Sequence, residues 1–176
     1  KALLKALWKE AFYDTDDFLE DFFNIGSTII PNTIVITNDI TKEEYYTRGC
    51  TALLDAIGES ITSMDKSKCD KALFVITTDG LENASHKYSK EQIKEMIEGH
   101  PNWEFIYIGA DIDSYAEASA IGIRRENTAN YQKTKTGLRN LFCAINDATS
   151  CMQECESLDN STWKRKLDNF IENNQE

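Results

Sequence analysis

Three oxygen-bearing side chains stand where an α/β sheet would offer them to a ligand: Thr51, Asp79 and Asp111. Asp79 follows the apolar run Ala72-Leu73-Phe74-Val75-Ile76, Asp111 follows Phe105-Ile106-Tyr107-Ile108-Gly109, and Thr51 opens a helix-like stretch after Arg48-Gly49-Cys50. Hydroxyl and carboxylate oxygens are ligands for hard cations, and Mg²⁺ asks for octahedral geometry while keeping several waters. A threonine bound directly and an aspartate bound through water would meet that demand, so Thr51 and Asp79 are the candidate metal ligands. Plainer roles exist for each residue. Thr51 suits a helix N-cap as well as a ligand, Asp79-Gly80 also suits a turn after a strand, and the site reading is favoured at Asp79. Asp55 is expected to pin a loop or backbone amide. Asp111 and Asp113 are expected as turn and cap residues, and Glu82, Asn83 and His86 as rim or exposed loop.

Other chemistries lack their residues. There is no P-loop and no Gly-x-Gly-x-x-Gly, no Gly-x-Ser-x-Gly elbow, and His86 has no serine or cysteine partner in a recognisable nucleophile motif. The five cysteines form no Cys-x-x-Cys pair, which argues against structural zinc, and their odd count and irregular spacing fit a reducing cytosol better than a disulfide framework. A net charge of −11 disfavours a phosphate backbone or an anionic membrane and suits a cationic partner or a metal ion, although its plainer and favoured role is to keep the domain soluble. No apolar stretch is long enough to span a bilayer, and residues 1–7 are too short for a signal peptide. The chain begins without methionine, as a trimmed or partial chain would. A cytoplasmic protein is therefore expected, not an enzyme, with neither nucleic acid nor membrane as its partner.

The elements that must position these groups follow from periodicity. Apolar residues three and four apart predict helices over residues 1–12 and 18–23. The β-branched run 33–37 predicts a strand. A helix is expected over 51–64, a buried strand over 71–78, and a helix over 89–99 opened by a Ser89/Gln92 capping box. A strand over 103–109 precedes a helix from Ser114 to Ala120 with Ser114 and Glu117 as a second capping box, then a short edge strand over 123–125. Thr136 is expected to cap a helix reaching Met152, and residues 161–171 form a last amphipathic helix. Strand, helix, strand, helix in alternation implies a mostly parallel sheet with helices on both faces, whose sites form at the C-terminal ends of its strands.

Four segments resemble the von Willebrand factor A domains of the bacterial and phage cytoplasmic type. Arg48-Gly49-Cys50-Thr51-Ala52-Leu53-Leu54-Asp55-Ala56-Ile57 is similar to a Gly-x-Thr-x-Leu-x-Asp-Ala motif. Val75-Ile76-Thr77-Thr78-Asp79-Gly80-Leu81-Glu82-Asn83-Ala84-Ser85 is similar to a Thr-Asp-Gly-x-Glu-Asn segment. Phe105 to Asp111 and Asn127-Thr128-Ala129-Asn130-Tyr131 match later pieces in order. The resemblance implies a von Willebrand A or Rossmann-like α/β fold over residues 45–152, with an atypical or truncated part over 1–44 and a C-terminal helix over 153–176. It also implies a metal-ion-dependent adhesion site in which Thr51 and Asp79 hold Mg²⁺, with Mn²⁺ or Ca²⁺ as substitutes, and the metal bridges to an acidic group of a protein partner.

The chain departs from that pattern in lacking Asp-x-Ser-x-Ser, the family's first metal-binding loop, and its long apolar first strand. A structural or assembly protein with a silent metal site is thus the main alternative, and a Mg²⁺-dependent enzyme the minor one. A sheet without its central strand would expose neighbouring edges. Either residues 33–37 would replace that strand or the chain would associate with a second copy.

Overall fold

The side chains of Ala72 to Ile76 alternate between two separate cores, as a strand covered on both faces requires. The computed structural model describes residues 2–8, 33–35, 52–66, 70–154, 157–158 and 162–173. In chain order the elements are β1 (Ala2–Trp8), β2 (Thr33–Val35), α1 (Leu53–Lys66), β3 (Lys71–Thr78), α2 (Lys90–Glu98), β4 (Glu104–Gly109), α3 (Ser114–Ala120), β5 (Thr128–Asn130), α4 (Lys135–Glu154) and α5 (Arg165–Glu172). Short 3-10 turns lie at Arg125–Asn127 and Thr162–Lys164. The strands run parallel in the order β2-β1-β3-β4-β5. The chain is therefore of the α/β class, with a parallel sheet.

Each face of the sheet has its own cover. Ala72, Phe74 and Ile76 of β3, with Phe105 and Tyr107 of β4, pack against Leu54, Ile57 and Ile61 of α1 and Ile93 and Ile97 of α2. On this face the Phe74 ring stacks on Trp103 and Phe105, with centroids 5.5 and 5.1 Å apart. Leu73, Val75, Ile106 and Ile108 point the other way, towards Leu141, Ala144 and Ala148 of α4, with Trp163 and Leu167 closing the same core. The C-terminal segment expected as a helix over 161–171 is thus a 3-10 turn followed by α5, both folded back on the sheet. Among the described residues no helix is long and apolar enough to cross a membrane.

The largest correction falls at the N-terminus. The helix expected over residues 1–12 is, from Ala2 to Trp8, strand β1. It pairs with β3 in unbroken register from Ala2 opposite Lys71 to Trp8 opposite Thr77. A seven-residue run broken only by Lys5 is too short for periodicity to separate helix from strand, and pairing along its whole length decides the matter. The slot expected to be empty is filled, so the argument for self-association through a missing central strand loses its ground. β2 lies beside β1 at the edge of the sheet and does not replace it. The helix expected over 18–23 lies outside the described residues.

Smaller corrections share a cause. The Ser89/Gln92 capping box forms as expected. At α3, however, Asp113 caps by accepting from the Ala116 amide, and Ser114 becomes the first helical residue with its hydroxyl buried. At α4, Thr134 rather than Thr136 accepts from the amide of Gly137. The last strand is Thr128–Asn130, whereas of the residues expected as its position Ile123 and Arg124 are loop and Arg125 opens a 3-10 turn. Where several polar residues could cap or end an element, tertiary packing selects among them.

Candidate functional site

The direction of the chain changes between β1 and β3. From β1 it moves outward to β2, and from β3 it moves the opposite way to β4 and β5. In an open parallel sheet such a switch leaves a crevice at the C-terminal ends of the two diverging strands. Asp79 follows Thr78, the last residue of β3, directly on that crevice.

Two rungs continue the ladder just past the strand ends. The Ala110 amide donates to Thr78 O at 3.0 Å, and the Tyr131 amide donates to Gly109 O at 2.9 Å. These rungs fix where the next residues emerge: Asp79 after β3, Asp111 after β4 and Lys133 after β5. Asp111 takes a left-handed backbone conformation at φ 57°, which aspartate tolerates better than most residues. The three side chains meet. Lys133 Nζ lies 3.2 Å from Asp79 Oδ2 and 3.1 Å from Asp111 Oδ2, and it donates to the Asp79 carbonyl at 3.4 Å. An ammonium has three donors, and three oxygens face it here. Burial opposes the charge on Lys133, but its bonds to Asp111 and Asp79 outweigh that, and its pKa is held above the usual lysine value.

Beneath this cluster lies Tyr131, which is 3% exposed. Among the described residues its hydroxyl has no hydrogen-bond partner. Burial foremost, then the charges of Asp79 and Asp111, push the phenol well above the usual tyrosine range.

A second cluster braces the loop that leaves Asp79. The Glu82 carboxylate accepts from the amides of Leu54 (2.9 Å), Ala84 (2.9 Å) and Ser85 (2.7 Å) and from the Ser85 hydroxyl (2.8 Å). Asp55 answers from α1, accepting from the amides of His86, Lys87 and Tyr88. Burial tends to raise the Glu82 pKa, but the hydrogen bonds from Leu54, Ser85 and Ala84 reverse this and hold it below the usual glutamate value. The bond from His86 leads in lowering Asp55, partly opposed by desolvation. Helix α1 is thereby clasped to the loop that carries Asp79.

Asp79 is at the expected place, the C-terminal end of a buried strand. Thr51 lies outside the described residues, while the start of α1 just beyond it is drawn to the Glu82 loop by Leu54. Asp55 pins backbone amides and Asp113 caps a helix, both as expected. Asp111, expected only as a turn residue, also reaches the cluster. His86 contributes its backbone to Asp55, and His100 lies before β4, its Nε2 2.7 Å from Asp65 Oδ1 and its ring stacked on Trp103 at 4.0 Å. Lys133 escaped sequence reading. The last strand was expected over 123–125, so the residues following Asn130 were not read as a strand end.

Does this edge suit Mg²⁺? Asp79 and Asp111 converge on one cation, but that cation is Lys133. The hydroxyl of Thr78 is already tied to Gly80 at 2.9 Å. Among the described residues no group of three or more His, Cys, Asp or Glu side chains could hold a metal ion. A divalent ion and an ammonium cannot share one pair of carboxylates without strong repulsion. The described residues therefore do not fit a resident Mg²⁺. No protein-family model matches the chain, and no curated protein and no solved structure matches it either.

Proposed function

We propose that this chain is a protein-interaction module of von Willebrand A-like type that receives its partner at the C-terminal edge of the sheet, around Asp79. The position of Asp79 at the switch between β1 and β3 carries this reading. The segments similar to von Willebrand A domains support it. Val75 to Ser85, Phe105 to Asp111 and Asn127 to Tyr131 each cover the C-terminal end of a strand, which is where that resemblance puts the binding loops. Leu81 supports it too: at 56% exposure it is the exposed large hydrophobic among the described residues, two positions from Asp79. A lone exposed leucine is ordinary on a protein surface, but here it sets apolar area beside a charged cluster, the mix of a contact patch. Lys133 in the cation position favours the version that needs no metal, which joins this reading to an assembly role with a silent metal site.

Affinity capture with wild type, Asp79→Ala and Leu81→Ser as baits tests the proposal. Leu81 is exposed, and Asp79 lies past the end of its strand in a weak surface ion pair, so unchanged far-UV circular dichroism is expected. A protein retained by wild type should fall about tenfold or more in each variant, the loss expected for a hot-spot side chain. Equal retention by all three baits would place the contact on another face.

A further inference from the structure

We infer that Lys133 is the built-in cation of this edge, holding the place between Asp79 and Asp111 that a divalent ion would otherwise take. Resting on the reading of this edge as the contact surface, this makes partner binding independent of metal.

The two carboxylates come from different loops, after β3 and after β4, yet both point at a single Nζ at 3.2 and 3.1 Å. Such convergence defines a cation position. A carbonyl oxygen of Asp79 completes the shell around the ammonium. The Tyr131 hydroxyl, close enough to feel the charges of Asp79 and Asp111, is buried and among the described residues has no hydrogen-bond partner. Lysine is a compact point charge on a flexible stem, and the stem here is anchored by a tight turn: Thr134 N donates to Gln132 O at 2.7 Å, and Leu138 N to Thr134 O at 2.9 Å. The tether keeps the ammonium at high local concentration. A divalent ion from solution must displace it and then sit close to a fixed positive charge.

The side chains of Lys133 and Asp111 are 39% and 70% exposed, so each ion pair is weak, about 0–1 kcal/mol by the usual measure of surface pairs. The lysine is thus a competitor, not a keystone of the fold. Removing it should leave the chain folded and free the two carboxylates.

Thermal melts and calorimetric titration with Mn²⁺ alone, on wild type, Lys133→Met, Lys133→Gln and the double variant Lys133→Met/Asp79→Asn, test this without any partner. Wild type should show no saturable uptake and no shift of its midpoint at millimolar Mn²⁺. Both single variants should bind with about tenfold or greater gain in affinity and a midpoint raised by about 2–4 °C. The double variant should lose that gain. Two results would overturn the inference: wild type binding Mn²⁺ as tightly as Lys133→Met, or neither single variant binding it. Either would leave partner capture at Asp79 to stand or fall on its own.

Discussion

Gly137→Ala should lower the midpoint of thermal unfolding by about 2–8 °C, although alanine is the better helix former. Gly137 lies in the first turn of α4, and its amide donates to Thr134 Oγ1. A Cβ there would sit 2.1 Å from the Gln132 carbonyl oxygen and 3.0 Å from its carbon. Both are backbone atoms, so no rotamer change relieves the contact. Alanine gains about 1 kcal/mol of helix propensity over glycine, whereas forcing an atom into packed structure costs about 1–3 kcal/mol or more. At 2.1 Å the steric term should win. The 131–134 turn must move, and with it Lys133. The same variant should therefore shift the NMR resonances of Asp79 and Asp111, across the sheet edge from position 137. A midpoint equal to or above that of wild type would mean that the turn yields freely and does not fix Lys133.

How much of this fold could be read in advance depended on whether the signal was local. Ala72 to Ile76 announced a strand because a sheet covered on both faces needs a continuous apolar run. The Ser89/Gln92 box announced a helix start because both of its hydrogen bonds lie within four residues. Thr128–Asn130 carried no such signal. It has one apolar residue, Ala129, and is a strand because the edge of β4 offers it partners from Tyr107 to Gly109. Ile123 is buried, and burial without strand pairing is what made 123–125 look like the last strand. β1 failed for the opposite reason: its residues are apolar in a pattern that suits either element, and only β3 resolves it.

The site was half legible on the same grounds. Asp79 could be found because it ends a recognisable strand. Asp55 was expected to pin a loop or backbone amide, and it does hold three amides, although they belong to His86, Lys87 and Tyr88, 31 to 33 residues away. Lys133 lies 54 residues from Asp79 in sequence. Nothing in Gln132-Lys133-Thr134-Lys135 marks one lysine above the other. Its role exists only once β5 is placed beside β4 and the ladder carries the chain to the shared edge. The metal chemistry implied by resemblance rested on Asp79 alone among the described residues, and the group opposite Asp79 proved to be an ammonium.

Glu82→Gln should destabilise the protein by about 1–3 kcal/mol near neutral pH, and the difference should vanish in acid. The first amides of a helix have no partner inside it. In α1 one of them, Leu54, is satisfied by a carboxylate 28 residues away, and the same carboxylate holds the Ala84 and Ser85 amides. A negative charge at a helix N-terminus also meets the positive end of its dipole. Glutamine keeps one acceptor oxygen but turns an NH₂ group towards amide donors, so bonds are lost and the charge goes with them. The pH dependence has a definite sign. The Glu82 pKa is lower in the folded state than its ordinary value of 4.5, so its contribution is full above that value and is lost as pH falls through the lower folded value. Asp55, lowered from 3.8, adds a further loss at still lower pH, but equally in both proteins. Urea unfolding of wild type and Glu82→Gln at about pH 7 and about pH 3 should therefore give a gap that closes in acid as wild type weakens. If the gap held constant between those conditions, the carboxylate charge would not be what clasps α1 to the loop bearing Asp79, and the brace would have to be sought in packing around Leu54 instead.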